Sequence, residues 1–272
     1  MVAVGDEMTM GALHVERAGS GEVLVLVHGY LGGSSQWAAE IKALSPHLDV
    51  IAMDLPGFGR SRHLTSPDQI TGHAQAVLDC LDRLDVQRFH LLGHSMGGMI
   101  VQEIVRLAPQ RVNRLVLYGT GPLGLLPGRF ETMVRSRERL AQDGVEATAR
   151  RISATWLLHR EASPMAEALG DLAAQASAQA AEAGLWAMER WDGRANLSQI
   201  TQPTLIVWGD QDRSYQWPQV ETLWREIAGA SLAVLPHCSH ALHLEYPQLF
   251  HTVVLDFLLW PSNQPMSPSV AG

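Results

Sequence analysis

Short apolar runs that alternate with helix-period segments constrain the fold of this sequence more than any other feature. Six runs are apolar along most of their length, which is typical of strands buried on both faces of a parallel sheet. Between several of them, apolar residues recur at helical spacing, as in the faces from Ile70 to Leu84 and from Met99 to Ala108. Strands alternating with helices predict an α/β fold, with a mostly parallel, twisted sheet flanked by helices. The predicted strands are Val23–Val27, Val50–Met53, Phe89–Leu92, Leu115–Tyr118, Thr204–Trp208 and Leu232–Leu235.

The pattern departs from simple alternation at both ends and in the middle. ALHVERAGSGEVLVLV predicts an antiparallel pair of strands that turns at Gly19-Ser20-Gly21. Residues 122–196 carry no strand signal and are alanine-rich and helical, with Gly and Pro at both borders. We predict a core of residues 1–121 and 197–262, a helical cap of residues 122–196 inserted into it, and a flexible tail at 263–272. The cap should lie over the carboxyl ends of the strands, where open α/β sheets bind ligands.

Composition narrows the classes of function. The chain is 46% hydrophobic and 18% charged, with a formal net charge of -8 and no basic stripe, which argues against a nucleic-acid partner. No run approaches the ~18 apolar residues of a membrane span. Asp6 and Glu7 stand where a secretory signal needs a basic residue, and the two distant cysteines, Cys80 and Cys238, are typical of reduced thiols. We therefore expect a cytoplasmic protein with a small-molecule substrate and no membrane partner. Monomer and homodimer stay open.

One turn suggests the chemistry. The apolar run from Phe89 ends in Gly93-His94-Ser95-Met96-Gly97, and helical periodicity begins at once, which is the strand–turn–helix context that the G-x-S-x-G pattern requires. Only small residues on either side let strand and helix pass closely at so sharp a turn. Such a turn exposes the serine hydroxyl at the carboxyl edge of the sheet, so Ser95 is the predicted nucleophile. The alternative is a plain strand–helix turn.

A serine hydroxyl needs a base that is oriented by an acid. His240 is our choice for the base, because it lies on the loop before the last helix; His237 and His243 are its neighbours. Asp212 is the predicted acid, since it follows the strand that ends at Trp208, and Asp210 would then be a turn residue. Three histidines and a cysteine could also suggest a metal site, but no carboxylate or CxxC pattern supports one. We expect no metal and no cofactor.

The oxyanion that forms during acyl transfer needs preorganised donors. The backbone N–H of Met96 is one predicted donor. The second is expected from the loop HGYLGGSSQW after the first long buried strand, as the N–H of Tyr30.

These stretches resemble a known family. VLVHGYLGGSSQW, IAMDLPGFGRS, LLGHSMGG, PTLIVWGDQD and HALHLEYP are similar, in this order, to the motifs of the α/β-hydrolase superfamily. The resemblance covers nearly the whole chain except 122–196, which looks like that family's helical cap. It implies the same assignments as above: Ser95, Asp212 and His240 as catalytic triad, with Tyr30 and Met96 at the oxyanion.

Within the superfamily the resemblance points to the members with a serine nucleophile. Haloalkane dehalogenases and epoxide hydrolases carry aspartate at the nucleophile elbow, the sharp turn that Ser95 occupies here. Small carboxylesterases and enol-lactonases are most similar, which implies cleavage of a small, largely apolar ester or lactone. Meta-cleavage product hydrolases, which cut carbon–carbon bonds, are the alternative, although they usually carry asparagine where His94 stands. A ligand receptor or an acyltransferase on the same fold would share these motifs.

Cap residues could complete a substrate pocket. Apolar side chains facing the serine would form an acyl or alcohol pocket, whereas packing between cap helices is the simpler interpretation for most of them. Arg160, Arg190 and Arg194 could hold a substrate carboxylate, but an exposed helix face is the favoured interpretation. The candidate pocket residues are Trp156, Trp186, Met188, Arg190 and Trp191.

Overall fold

A seven-stranded sheet forms the centre of the computed structural model, which describes residues 12–125 and 131–261. All six strands predicted from apolar runs are present, most of them extended by one to three residues. The seventh, β1, contains the sequence VERA. The strands are β1 (Val15–Ala18), β2 (Val23–Val27), β3 (Asp49–Met53), β4 (Phe89–His94), β5 (Val112–Tyr118), β6 (Thr204–Gly209) and β7 (Ser231–Leu235).

The strand order is β1-β3-β2-β4-β5-β6-β7, and every pair except β1–β3 is parallel. The predicted turn at Gly19 and Gly21 is present, and both glycines have φ near +100°. The predicted pairing across that turn is wrong, because β1 pairs with β3 and not with β2. The physical reason is that β2 already has parallel neighbours on both sides, so β1 can only add at the outer edge of β3.

Nine α-helices surround the sheet in the described ranges. The longest, α4, has Gly144 at φ 77° inside it, so it consists of two helical pieces joined at a kink. The helices are α1 (Ala38–Leu44), α2 (Ile70–Arg83), α3 (Met96–Leu107), α4 (Met133–Ala154), α5 (Ala166–Ala173), α6 (Ala178–Arg190), α7 (Trp217–Glu226), α8 (Leu242–Glu245) and α9 (Pro247–Leu259). Short 3-10 turns occur at Ser34–Trp37, Gly59–Ser61, Pro109–Arg111, Arg160–Ala162 and Arg194–Gln199.

Two apolar cores cover the two faces of the sheet. Helices α1 and α9 bury Leu44, Phe250 and Val254 against one face. Helices α2, α3 and α7 pack on the other face, in a larger core that also includes residues of α4, α5 and α6. Covering both faces explains why the strands are apolar without alternation.

Helices α4, α5 and α6 lie between β5 and β6 in the chain, where the sequence predicts a cap. The only strand-like pairing in the described part of this segment is an isolated bridge between Leu123 and Asp192. Helix α6 is bound to the core through the side chain of Gln179. Its Oε1 accepts the backbone N–H of Ser66 and its Nε2 donates to the Ser66 carbonyl, both at 2.8 Å. The predicted tail at 263–272 lies outside the described residues.

Candidate active site

Ser95 occupies the turn between β4 and α3 with φ 57° and ψ -119°, a conformation that costs an L-residue energy. A Cβ atom at Gly93 would overlap the carbonyl oxygen of Gly97, and one at Gly97 would overlap that of Val27. Glycine is therefore required at both positions for helix and sheet to pass this closely.

The strained turn is stabilised by its neighbours. The N–H of Ser95 donates to the carbonyl of Tyr118 at 3.0 Å, and the hydroxyl of Thr120 donates to the carbonyl of Ser95 at 2.8 Å. The backbone of Ser95 is thus tied to the end of β5. Its side chain is left to line a cavity under α4 and α6.

A second element at this edge of the sheet is the Asp212–His240 pair. Oδ2 of Asp212 lies 2.9 Å from Nδ1 of His240, and both side chains are almost fully buried. Oδ1 of the same carboxylate accepts the N–H groups of Ser214 and Tyr215 at 2.7 and 3.1 Å. Because a carboxylate only accepts, the proton of neutral His240 lies on Nδ1. Nε2 then carries the lone pair, on a side chain that lines the same cavity as Ser95.

Two buried side chains, those of Tyr118 and His94, contact the backbone carbonyl of His240. The Tyr118 hydroxyl donates to the His240 carbonyl at 2.9 Å, and His94 Nε2 lies 3.1 Å from the same oxygen. Burial keeps the pKa of His94 well below its ordinary value, and the nearby His240 and His243 lower it further. The His94 ring is therefore neutral near pH 7 and donates from Nε2.

The neighbours of His240 and Asp212 have other contacts. His243 is buried and its Nδ1 lies 2.8 Å from the Tyr118 hydroxyl. His237 is exposed, and its N–H donates to Oδ1 of Asp210 at 2.8 Å. Asp210 therefore closes a turn between the two loops, whereas Asp212 faces the imidazole.

The loop after β2 passes directly against the elbow. A Cβ at Gly29 would lie 2.9 Å from the Cβ of Ser95, so only glycine leaves room there. Nε2 of buried His28 accepts the Leu55 N–H at 2.9 Å, which leaves its Nδ1 to donate to the Gly29 carbonyl at 2.7 Å. Tyr30 follows, and its hydroxyl donates to the carbonyl of Ala181 in α6 at 2.6 Å. Loop and helical insertion are thus joined beside Ser95, while Met96 contributes the first N–H of α3.

The cavity beside Ser95 has a volume of about 40 Å³. That volume is far below the several hundred Å³ of a ligand pocket, so the insertion closes over the serine. None of the described lining residues is an acid, a lysine or an arginine. They are Tyr30, Ser95, Gly124, Met133, Ile152, Trp156, Met188, Ser214, Tyr215 and His240.

Of the five predicted pocket residues, Trp156 and Met188 line this cavity and the other three do not. The guanidinium groups of Arg137 and Arg190 both contact the Trp186 ring, at 3.7 and 4.8 Å from its centre. Arg190 also forms an ion pair with Asp68 at 2.5 Å and is exposed. Trp191 is buried in the core. Trp186 and Arg190 lie on α6 but point away from Met188, and Trp191 follows the end of that helix in an extended conformation. Helical periodicity alone does not distinguish these directions.

Sequence reasoning did not select several residues of the site. Ser214 and Tyr215 line the cavity, and the Tyr215 ring stacks on His240 with centroids 5.6 Å apart. Their signal was their place directly after Asp212, on a loop at a strand end. Met133 and Ile152 come from α4, whose apolar face gives no separate indication of a cavity.

The described residues contain neither a metal-binding cluster nor a membrane-spanning helix. In 12–125 and 131–261 no group of three His, Cys, Asp or Glu side chains is arranged to hold a metal ion. Over the same ranges, no helix combines the length and apolar character needed to cross a membrane. Cys80 and Cys238 are both buried and free.

Comparison with known proteins shows which family this fold represents. The family model described as alpha/beta hydrolase fold matches residues 22–247. The chain belongs to the α/β-hydrolase superfamily. This confirms the fold predicted from the sequence and makes the protein a member of a hydrolase enzyme family.

Proteins similar to this chain include an esterase, a dienoate hydrolase and an enol-lactonase. The pimeloyl-[acyl-carrier protein] methyl ester esterase of Nitrosomonas europaea is 30% identical over 89% of this chain and 97% of its own length. The 2-hydroxy-6-oxo-6-phenylhexa-2,4-dienoate hydrolase of Comamonas testosteroni is 27% identical over 90% of this chain and 91% of its own. Among solved structures, the enol-lactonase of Burkholderia xenovorans superposes with a TM-score of 0.83 at 26% identity, over 91% of this chain and 96% of that one.

Proposed function

We propose that the protein is a serine hydrolase that cleaves a small, largely apolar carboxylic ester or lactone through an acyl-enzyme. The proposal rests on one observation. The buried Asp212–His240 pair, 2.9 Å apart, opens onto a cavity that Ser95 shares and that no charged side chain among the described residues lines. Residues 122–196 act in this proposal as the cap.

The reaction follows from the proton positions. His240 Nε2 takes the proton of the Ser95 hydroxyl as Oγ attacks the substrate carbonyl, and Asp212 stabilises the resulting imidazolium. The N–H groups of Tyr30 and Met96 donate to the oxyanion, each supplying ~3 kcal/mol of barrier reduction. The imidazolium then protonates the leaving alkoxide. Water, deprotonated by the same imidazole, attacks the acyl-enzyme and releases the acid and free Ser95.

The walls of the cavity support an uncharged substrate. Met133, Ile152 and Met188 provide an apolar surface for an acyl or alcohol group. The volume of about 40 Å³ leaves room for little more than a water molecule, so a substrate enters only when the cap moves outward. Small or linear substrates require the least opening.

Carbon–carbon hydrolysis of a ring-fission product is the second candidate. The dienoate hydrolase of Comamonas testosteroni aligns with 90% of this chain. A ring-fission dienoate carries a carboxylate, which calls for a cation in the pocket. Arg190, one of the three arginines considered for that role, is exposed and forms an ion pair with Asp68. The described lining therefore favours ester or lactone cleavage.

The test is the substitution Ser95→Ala with p-nitrophenyl acetate as substrate. Turnover should fall by about four to six orders of magnitude, as it does when a catalytic serine is removed. Ser231→Ala, on β7 at the far edge of the sheet, is the matched control and should behave as wild type. Undiminished turnover in Ser95→Ala would contradict the proposal.

Two further measurements separate the alternatives. A panel of short esters, lactones and a ring-fission dienoate identifies which bond is cleaved. Adding an alcohol acceptor and analysing products distinguishes a hydrolase from an acyltransferase, since only the latter makes the new ester in preference to the acid. Failure of a fluorophosphonate to label Ser95 in folded wild-type protein would favour a ligand receptor.

A further inference from the structure

The short segment Trp156–Leu158, which follows α4, contacts both loops that carry the proposed base and acid. The Trp156 side chain lines the cavity, and its ring centre lies 6.0 Å from that of His240 in an edge-on arrangement. The Trp156 carbonyl accepts the N–H of Ala241 at 2.9 Å. The cap is therefore hydrogen-bonded to the residue next to His240.

A single carboxylate strengthens this connection. Oε1 of Glu245 accepts the N–H of Leu158 at 2.5 Å, and Oε2 accepts the N–H of Ser239 at 2.7 Å. Leu158 belongs to the cap segment, and Ser239 precedes His240. Both oxygens of Glu245 are thus used, one on each side of the boundary between cap and core.

The loop that carries Asp212 also contacts the segment Trp156–Leu158. The guanidinium of Arg213, next to Asp212, donates to the carbonyls of Leu157 and Leu158 at 3.3–3.4 Å. These longer contacts add to the Glu245 bridge. Backbone groups of residues 156–158 are therefore bonded to both loops of the Asp212–His240 pair.

The loop from Cys238 to Ala241 is neither helix nor strand, so its position depends on contacts of this kind. Hydrogen bonds to a charged acceptor are among the stronger ones available to it. A displacement of about 1 Å in a catalytic group can cost about 100-fold in rate, so the setting of this loop matters.

We propose that Glu245 is a positioning residue that bridges the cap segment and the His240 loop, so that closure of the cap sets the imidazole against Ser95. The inference rests on the proposed function and goes further, because it assigns a role to a residue outside the triad. Glutamine at this position has one acceptor oxygen and cannot serve both N–H groups. Alanine serves neither.

The experiment compares Glu245→Gln and Glu245→Ala with wild type. Glu221→Gln is the matched control, because Glu221 forms an ion pair with Arg225, four residues further along α7. Active sites are counted with a fluorophosphonate, so that kcat for p-nitrophenyl acetate is expressed per reactive serine. Both Glu245 variants should lose about 10- to 100-fold in kcat and in the rate of phosphonylation, with KM changed little. The control should match wild type.

A merely structural role gives a different result. If the Glu245 variants contain fewer reactive sites but each site turns over at the wild-type rate, the proposal is overturned. It is equally overturned if both variants equal Glu221→Gln in every measurement.

A spectroscopic readout makes this test independent of catalysis. The proton on His240 Nδ1, shared with Asp212, should be observable at low field by NMR in wild type and should exchange faster with water in Glu245→Gln. Unchanged exchange would contradict the positioning role. If wild type itself neither turns over esters nor is labelled, the proposed function fails, and the exchange rate alone then decides the role of Glu245.

Discussion

Asp212 and His240 are 28 residues apart in the chain, yet Oδ2 of one lies 2.9 Å from Nδ1 of the other. The pair depends on two parallel strands, β6 and β7, whose carboxyl ends place the loops after Gly209 and Leu235 side by side. The hydrogen bond determines the tautomer of His240, because only Nδ1–H can donate to the carboxylate. Removal of the charge, with the shape kept, is the most direct way to test that arrangement.

The substitution Asp212→Asn should lower kcat for p-nitrophenyl acetate by about 10⁴-fold, because an amide that donates to Nδ1 selects the wrong tautomer. Asp210→Asn is the control, since Oδ1 of Asp210 accepts the backbone N–H of His237 and asparagine keeps an acceptor oxygen there. Both variants should fold with similar circular dichroism. A loss below tenfold in Asp212→Asn would show that the carboxylate does not orient the base.

The hydroxyl and the backbone of Tyr30 should be separable. In Tyr30→Phe the proposed oxyanion donor, the N–H, remains, whereas the buried hydrogen bond to Ala181 is lost. We expect the free energy of unfolding to fall by about 1–3 kcal/mol, with kcat within about threefold of wild type. Urea titration and steady-state kinetics measure the two effects. Tyr246→Phe, at an exposed position, should change neither.

Cavity size should limit the length of the acyl group. Trp156→Ala removes the largest side chain of the lining, so kcat/KM for p-nitrophenyl hexanoate should rise relative to the acetate by about 10-fold or more. Trp186→Ala, a tryptophan of the same insertion that lies outside the cavity, should leave that ratio unchanged. An equal shift in both variants would mean that general loosening of the cap, and not the cavity wall, sets the chain length.

Buried histidines should make stability pH-dependent. Burial lowers the pKa of His73 and His243 to about 4 from the ordinary 6.5. Between pH 6.5 and 4 the unfolded chain therefore binds a proton at each position that the folded chain does not. Stability should be fully present above 6.5 and should decrease by about 3 kcal/mol per histidine as pH falls to 4.

Urea titrations at several pH values measure this dependence. The slope of unfolding free energy against pH over that window should be smaller in His73→Asn, whatever the absolute stability of the variant. His47→Asn, at an exposed position, should keep the wild-type slope. Parallel slopes for all three proteins would contradict the assignment.

Much of the fold could be predicted because its signals are local. Apolar runs of four or five residues, and the two glycines around Ser95, act through their immediate neighbours, so the six strands and the strained elbow could be anticipated. The pairing of β1 could not, since it depends on which edge of the sheet is free once β2 and β3 are paired. Strand existence is a local property, whereas strand order is a property of the whole sheet.

The site divides in the same way. Residue types and chain order alone indicated Ser95, Asp212 and His240, because each follows a strand end at one edge of the sheet. Only the tertiary structure decided which residues of the insertion line the cavity beside Ser95. Trp156 and Met188 do, whereas Trp186 contacts Arg137 instead. It also revealed the Glu245 bridge, which joins backbone N–H groups that carry no sequence signal. Which way a side chain points from a packed helix depends on the elements around that helix. The sequence of the helix alone does not specify those elements.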